Sequence, residues 1–216
     1  MNFVTSWSGG KDSCYAMMQA IQQGFIPKAL LNMMNENGKV SRSHGLPLSI
    51  LNKQAQKMAL PIAAIPATWG DYEEKFISVL TMLKDKYDLE AAVFGDIDLQ
   101  AHKDWEDKVC KAASLKAILP LWQQNRIHLV NQMLENGIVT MIVSCNITMG
   151  ESYLGKILTK ELAQELLEKG IDPCGENGEF HTLVINCPLF SEAIELPGFT
   201  KITYENYCFI VWEDAY

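Results

Sequence analysis

The sequence predicts an α/β protein with a doubly wound parallel sheet and a smaller C-terminal α/β lobe. In residues 1–122, short apolar runs alternate with amphipathic helical patterns, as in successive strand–helix–strand units. A glycine-rich turn joins the first apolar run to the first helical pattern. A β-branched run at residues 137–145 then predicts a late strand, which belongs to the second lobe.

The predicted strands are apolar runs bounded by turn-forming residues: 2–7, 27–34, 61–67, 91–95, 137–145 and 182–185, with a further apolar pattern at 116–122. The predicted helices carry apolar residues at three- and four-residue spacing: 14–24, 46–60, 71–87, 103–114, 126–136 and 159–169. We place a domain boundary near Trp122, which divides the chain into units 1–122 and 123–216.

The composition is that of an ordinary globular chain: 216 residues, 48% hydrophobic and 20% charged. The net charge of −8 argues against a general nucleic-acid-binding face. Apolar runs fall short of the ~20 residues of a membrane helix, and the start does not resemble a secretory signal. The expected location is therefore the cytoplasm, where the six scattered cysteines would be free thiols.

The first strand leads into the loop Ser8-Gly9-Gly10-Lys11-Asp12-Ser13. Two glycines allow the backbone to approach an anion, and the following helix points unpaired N–H groups at the same place. The serines add hydroxyl donors and Lys11 adds a positive charge, so the loop is suited to phosphate. Asp12 beside a polyphosphate fits a bridging Mg²⁺. The alternative is an ordinary strand–turn–helix connection with a Gly-Gly turn.

Polar residues also follow the second and fourth predicted strands. His44 lies in the loop 41–45. Gly95 is the last residue of the predicted strand 91–95, and Asp96 directly follows it. Carboxyl ends of parallel strands converge on the ligand crevice of a doubly wound sheet, so these residues are candidates for nucleotide or metal contacts. The alternatives are a solvated loop histidine and a surface turn that starts the next helix.

The stretch 171–183 concentrates polar residues before the strand 182–185: Gly175, Glu176, Gly178, Glu179, His181 and Thr182. The glycines permit tight turns, and the two carboxylates could hold a metal, position an amine or take a proton. A purely structural interpretation makes residues 175–178 a reverse turn.

The hexapeptide 8–13 resembles the SGGxDS signature of the ATP pyrophosphatases. The whole chain resembles the diphthine–ammonia ligase family through five segments: SGGKDS at 8–13, GDI at 95–97, PLW at 120–122, GENGEFHT at 175–182 and CPLF at 187–190. This resemblance implies a Rossmann-like fold of the adenine nucleotide α-hydrolase type. It also implies an ATP-binding unit 1–122 and a substrate-binding lobe 123–216.

The resemblance implies an ATP-dependent amidation. A substrate carboxylate would attack the α-phosphorus of ATP, and ammonia would then displace AMP from the acyl-adenylate; the acceptor would be diphthine on elongation factor 2. The implied roles are as follows: Ser8, Gly9, Gly10, Lys11, Asp12, Ser13, His44, Gly95 and Asp96 for ATP, Asp12 for Mg²⁺, Lys11, Asp12, Glu176 and Glu179 for catalysis, and Gly175, Glu176, Gly178, Glu179, His181 and Thr182 for the acceptor.

Two other functions stay open at this point. A related ATP pyrophosphatase would act on another small molecule or an RNA base, and a non-catalytic sensor would bind the nucleotide without releasing pyrophosphate. A homodimer formed through an apolar patch of the C-terminal lobe is a further expectation.

Overall fold

The computed structural model describes residues 1–213 and contains the predicted parallel sheet. Its strands are β1 (Asn2–Ser6), β2 (Ile26–Met34), β3 (Ile62–Pro66), β4 (Ala91–Val93) and β5 (Lys116–Ile118), in the order β3-β2-β1-β4-β5. All four neighbouring pairs run parallel. The chain reverses its winding between β1 and β4, so their carboxyl ends form the switch point where such sheets bind ligands.

Six α-helices and one short 3-10 helix accompany the strands in residues 1–213. The α-helices are α1 (Lys11–Gln22), α2 (Leu48–Lys57), α3 (Tyr72–Tyr87), α4 (Gln100–Ala112), α5 (Arg126–Glu135) and α6 (Lys160–Glu168); the 3-10 turn is Glu151–Tyr153. Helices α3 and α4 bury one face of the sheet, whereas α1 and α2 bury the other. Helices on both faces confirm the doubly wound class.

Helix α1 begins three residues earlier than the sequence pattern predicts. Gly10 is its N-terminal cap, with extended backbone angles of −96° and 176°. The residues Lys11, Asp12 and Ser13 therefore form the first helical turn, and only Ser8 to Gly10 remain as a loop. The apolar periodicity starts at Cys14, which explains why the pattern alone placed the start there.

The second sheet contains β6 (Val139–Asn146), β7 (Phe180–Asn186), β8 (Phe199–Tyr204) and β9 (Tyr207–Trp212), in the order β7-β6-β9-β8. All three neighbouring pairs are antiparallel. The hairpin β8–β9 is absent from the prediction. Every residue of β8 is exposed, so it lacks the alternation that identifies a half-buried strand, and its Glu205-Asn206 turn has no glycine or proline.

One continuous apolar cluster joins the two sheets, with members from α1 and α2 as well as from β6, β7 and β9. Hydrogen bonds reinforce it, because the carbonyl of Gly9 accepts from Val184 N at 2.9 Å and from Gln54 Nε2 at 3.0 Å. The loop after β1 is thus attached directly to β7. The domain boundary near Trp122 stays a prediction. Within residues 1–213, each helix is too short or too polar to cross a bilayer.

Candidate functional site

A cleft of about 340 Å³ opens where the carboxyl ends of β1 and β4 face the start of β7. Most of the sequence-predicted residues line it: Ser8, Lys11, Asp12, Ser13, His44, Gly95, Asp96, Gly175, Glu176, Gly178, His181 and Thr182. The two sheets therefore bring residues separated by more than a hundred positions in the sequence to one place.

The loop at the bottom of this cleft is held by its serines. Ser8 Oγ and Ser13 Oγ lie 3.0 Å apart, Gly10 N donates to Ser8 Oγ at 3.2 Å, and Ser13 Oγ donates to Gly10 O at 3.1 Å. Lys11 N donates to Thr182 Oγ1 at 3.1 Å. The first turn of α1 therefore faces the cleft with its positive dipole end, a geometry that favours anions.

Glycine is required at three positions around this turn because neighbouring atoms are too close for a side chain. Gly9 has φ +85°, and a Cβ there would lie 2.6 Å from Leu46 Cδ1. A Cβ on Gly10 would lie 2.4 Å from His44 Cε1, and one on Gly95 would lie 2.7 Å from Ser13 N. Gly95 thus lets the chain after β4 approach the backbone of α1. Gly9 and Gly10, which the sequence predicts to contact ATP, are not among the residues that line the cleft.

Lys11 is the buried charge of the site, with 2% of its surface exposed. Its Nζ donates to Asp12 Oδ2 at 2.8 Å and to the carbonyl of Cys174, and it lies 5.5 Å from the ring centroid of Phe180. Burial opposes the charge, but the attraction of Asp12 outweighs it and raises the pKa of Lys11. Lys11 therefore stays positive and ties the first loop to the loop 172–179.

Asp12 has one carboxylate oxygen engaged and one available. Oδ2 accepts from Lys11, whereas Oδ1 is buried and has no hydrogen-bond partner among the described residues. Burial raises the pKa of Asp12, and Lys11 opposes that rise. An unsatisfied buried carboxylate oxygen beside a helix N-terminus is a group that a cation or a ligand proton would satisfy.

Asp96 belongs to a hydrogen-bonded group with two residues of α4. Its Oδ1 lies 2.6 Å from His102 Nδ1, and it also shares a hydrogen bond with Glu106. Burial would raise the pKa of Asp96, but the hydrogen bonds from His102 and Glu106 hold it below its usual value. Burial and the bond to Asp96 raise the pKa of Glu106 to about 11, so Glu106 carries the proton between them at neutral pH.

Glu176 lies across the cleft from Asp12 and accepts from Ile97 N at 3.0 Å. Burial raises the pKa of Glu176 to about 7, and the nearby negative charges of Asp12 and Asp96 add to the rise. A carboxylate with a pKa near neutrality can both take up and release a proton at physiological pH, which is what a general base requires.

The structure places Glu179 outside this cleft, against a second hollow that Asp172 and Arg126 also line. The carboxylate of Glu179 accepts from Asn177 N at 3.1 Å and from Asn177 Nδ2 at 3.2 Å, and Asp172 N lies 3.4 Å from it. These contacts close the loop 172–179 on itself. In this structure Glu179 holds the loop, while Glu176 faces the cleft.

The two histidines of the cleft, His44 and His181, lie against each other with ring centroids 4.7 Å apart and ring planes inclined by 36°. Burial lowers the pKa of His44 to about 3 and that of His181 to about 4, so both rings are neutral at physiological pH. His44 Nδ1 lies 2.8 Å from the carbonyl oxygen of Thr182. Because a carbonyl only accepts, Nδ1 carries the proton and Nε2 is left as an acceptor.

Sequence reasoning missed several cleft residues: Ser6, Ser43, Leu99, His102, Cys174 and Phe180. His102 follows Asp96 by six positions at the start of a helix, and Ser43 directly precedes His44. Neither stands in a recognisable motif. The detectable signal was only their closeness in sequence to residues already chosen.

Comparison with protein-family models gives two matches. The model described as the diphthamide synthase N-terminal domain matches residues 1–117, and the model described as the diphthamide synthase C-terminal domain matches residues 125–214. Together they cover nearly the whole chain, including both loops of the cleft.

Similar proteins carry one common name. Proteins named diphthine–ammonia ligase from Mus musculus and Homo sapiens are each 30% identical, over 87% of this chain and 79% of theirs. The protein of that name from Schizosaccharomyces pombe is 29% identical, over 88% of this chain and 35% of its own length. A solved structure titled as a predicted subunit of tRNA methyltransferase from Methanocaldococcus jannaschii superposes with a TM-score of 0.47 at 18% identity, over 87% of this chain and 98% of that one. That likeness is too distant to bear on function.

Proposed function

We propose that this chain, which belongs to the diphthine–ammonia ligase family, uses ATP and ammonia to convert the carboxylate of diphthine on elongation factor 2 into an amide. The observation that carries the proposal is the meeting of two loops across one cleft. One loop places a helix N-terminus and the buried Lys11 where an anion would lie, and the other places Glu176 opposite.

The phosphates of ATP would lie against the first turn of α1. Ser8 and Ser13 present hydroxyl groups there, and the helix dipole and Lys11 supply positive charge. His44 lies beside them as a neutral ring, so it would contact the nucleotide through hydrogen bonds and not through charge. Glycine at positions 9, 10 and 95 lets neighbouring residues pack closely around this turn.

Asp12 would hold a Mg²⁺ ion together with the phosphates. Its buried Oδ1 has no hydrogen-bond partner in residues 1–213, and in the same residues no group of three His, Cys, Asp or Glu side chains could hold a metal. These facts fit Mg²⁺, which is commonly bound by one or two carboxylates, substrate phosphates and water. The ion would neutralise charge on the phosphates, and the carboxylate of Asp96 lines the same cleft and contributes to the raised pKa of Asp12.

The proposed reaction has two steps. First, an oxygen of the diphthine carboxylate attacks the α-phosphorus, the bond from that phosphorus to the bridging oxygen breaks, and pyrophosphate leaves. Lys11 and the N–H groups of α1 stabilise the charge that develops on the phosphates. Ammonia then attacks the carbonyl carbon of the acyl-adenylate, its nitrogen loses one proton to water, the C–O bond to AMP breaks, and the amide remains. Activation as an acyl phosphate divides one difficult substitution into two easier ones.

Glu176 would act in the second step as a general base. It takes a proton from the ammonium group, which frees the lone pair that attacks the carbonyl carbon. With a pKa of about 7, a large fraction of Glu176 is unprotonated near neutrality. Its negative charge, with those of Asp12 and Asp96, also attracts ammonium into the cleft. His181, Thr182 and the glycines 175 and 178 would contact the acceptor.

The proposal is tested by incubating the protein with ATP, Mg²⁺, ammonium and elongation factor 2 that carries diphthine. The mass of the acceptor and the nucleotide products are both followed. We expect amidation with equimolar AMP and pyrophosphate. Release of AMP without amidation would mean that diphthine is not the acceptor, although the chain still cleaves ATP to AMP. Binding of ATP without release of pyrophosphate would overturn the proposal in favour of a sensor.

The location and the oligomeric state expected from the sequence stay predictions. A cytoplasmic location would place the protein with elongation factor 2, and fractionation of cells checks it. A homodimer would use the C-terminal lobe, where Ile202 and Tyr204 are 46% and 67% exposed on the edge strand β8. Sedimentation of the purified protein measures the oligomeric state directly.

A further inference from the structure

A hollow of about 560 Å³, distinct from the one beside Glu179, adjoins the cleft. The two share four lining residues, Ser6, Ser43, Asp96 and His102, so they are continuous along one wall. The hollow lies between the N-terminal turn of α3 and helix α4. Nothing in the reaction as described so far uses it.

The walls of this aromatic hollow are formed by Trp69, Tyr72, Phe94 and Trp105. Tyr72 lies between the two indoles, with ring centroids 5.8 Å from Trp69 and 5.7 Å from Trp105. Trp105 Nε1 donates to Glu73 Oε2 at 3.0 Å, which fixes the orientation of that ring. Trp69 is 77% exposed, a large aromatic surface left open to a ligand.

Two carboxylates make the aromatic hollow suited to a positive charge, because Glu73 and Asp96 line it together with the rings. Hydrogen bonds hold the pKa of Asp96, against the opposing effect of burial, and the pKa of Glu73 below the usual carboxyl values, so both are ionised at neutral pH. The Arg42 guanidinium lies 4.5 Å from the ring centroid of Trp69 but is not one of the lining residues. Aromatic faces beside negative charge favour a bound cation.

We propose that the aromatic hollow binds a quaternary ammonium group, held by the faces of Trp69, Tyr72 and Trp105 with the carboxylates of Glu73 and Asp96 beside it. A quaternary ammonium has no N–H to donate, so it is recognised by aromatic faces and by charge, not by hydrogen bonds. A primary ammonium has the charge but also N–H groups that need hydrogen-bond acceptors, and a neutral group of the same shape lacks the charge.

This inference rests on the proposed function and names the part of the acceptor that the hollow would hold. Diphthine carries a trimethylammonium group on the carbon next to its carboxylate. If that group occupies the hollow, the carboxylate lies two bonds away, at the wall shared with the cleft. Asp96 and His102 form this wall, and the phosphate-binding turn of α1 lies on its other side. The hollow would therefore aim the carboxylate at the α-phosphorus.

The first test measures binding without any reaction. Glycine betaine is a trimethylammonium carboxylate, and 3,3-dimethylbutanoate has the same shape with an uncharged tert-butyl group in place of the ammonium. In titrations followed by the indole N–H resonances, we expect betaine to shift the signals of Trp69 and Trp105, with little effect from the tert-butyl compound. Equal shifts from both compounds, or none from either, would overturn the proposal.

The second test uses the substitution Trp69→Ala, which removes an exposed ring and is compatible with folding. We expect the KM for diphthine-bearing elongation factor 2 to rise roughly tenfold, the size of a partly desolvated cation–aromatic contact, with the KM for ATP unchanged. Met82→Ala removes a large side chain that is 52% exposed on α3 and is the control, with both KM values unchanged.

The outcomes separate this proposal from the proposed function. An increase in the KM for ATP alone would mean that the hollow holds the nucleotide base and would overturn the assignment. Selective betaine binding in a protein that fails to amidate diphthine would leave the hollow as a quaternary ammonium site and discard the acceptor.

Discussion

The two loops that face each other across the cleft are held in different ways. The segment 8–13, which contains the loop 8–10 and the first turn of α1, is held by hydroxyl groups, glycine packing and attachment to β7. Asp12 Oδ1 takes no part in these contacts and is unsatisfied. The loop 172–179 is held by its own carboxylates. Asp172 accepts from Cys174 N at 3.0 Å and Glu176 N at 2.8 Å, and Glu179 accepts from Asn177 N.

The comparison separates acidic residues that hold a loop from acidic residues that face the ligand. Asp172 and Glu179 satisfy backbone N–H groups that would otherwise lose their partners, so their loss should reduce stability. Asp12 and Glu176 face the cleft, and their loss should reduce turnover. The four carboxylates therefore provide a graded set of tests, from the largest expected effect to the smallest.

Substitution of Asp12 with Asn should have the largest effect. The variant keeps the size of the side chain but removes the charge proposed to hold Mg²⁺, so we expect AMP formation to fall about a thousandfold. The rate is measured at saturating ATP with increasing Mg²⁺, together with the melting temperature. Asp107→Asn, which affects an exposed acid 2.5 Å from Lys103, is the matched control. Full activity in the Asp12 variant would break the assignment.

Asp172→Ala should cause the largest loss of stability. Asp172 is 9% exposed, pairs with Arg126 at 2.7 Å and accepts two backbone N–H groups, so we expect the free energy of unfolding to fall by about 3 kcal/mol. Chemical denaturation measures this change. Asp98 pairs with the same guanidinium at 2.6 Å but is more exposed, and Asp98→Ala should cost under about 1 kcal/mol. Equal losses in both variants would contradict the role given to Asp172.

Glu176→Gln should reduce amidation about a hundredfold while leaving the fold intact. A general base acts in its unprotonated form, so with a pKa of about 7 the wild-type rate should rise through pH 7 and then level. The glutamine variant should lack this rise. Rates from pH 6 to about 8.5 test the point, with ATP and ammonium kept saturating at every pH. An unchanged pH profile in the variant would assign the proton transfer to another group.

Glu179→Gln should have the smallest effect of the four. Glutamine keeps one acceptor oxygen for the backbone but loses the charge, so we expect a loss of about 1 kcal/mol in stability and less than a threefold change in turnover. Thermal denaturation and the amidation rate are measured on the same preparation. If turnover instead falls as far as in the Glu176 variant, the division between the two glutamates is wrong.

Much of the parallel half could be predicted from the sequence because its signals are local. The apolar strands, the glycine turn and the polar residues at strand ends all lie in short stretches, and the doubly wound class follows from their alternation. The antiparallel half depends on contacts distant in sequence. The fully exposed strand β8 and its turn without glycine gave no periodic signal, so the hairpin 199–212 was missed.

Within the site, sequence patterns identified the segments but not the orientation of each side chain. Glu176 and Glu179 stand three residues apart in one motif, and only the fold shows that one faces the cleft and the other closes the loop. The same limit applies to Glu106, whose raised pKa arises from burial beside Asp96. Burial of this kind depends on how α4 packs on β4, which no local pattern records.

The most direct test of the account follows oxygen from the acceptor into the nucleotide. Diphthine on elongation factor 2 is labelled with ¹⁸O in its carboxylate and incubated with ATP, Mg²⁺ and ammonium, and the products are analysed by mass spectrometry. If the carboxylate attacks the α-phosphorus, AMP acquires one ¹⁸O and pyrophosphate acquires none. Label in pyrophosphate or in inorganic phosphate, or amide formation with unlabelled AMP, would contradict the proposed adenylation.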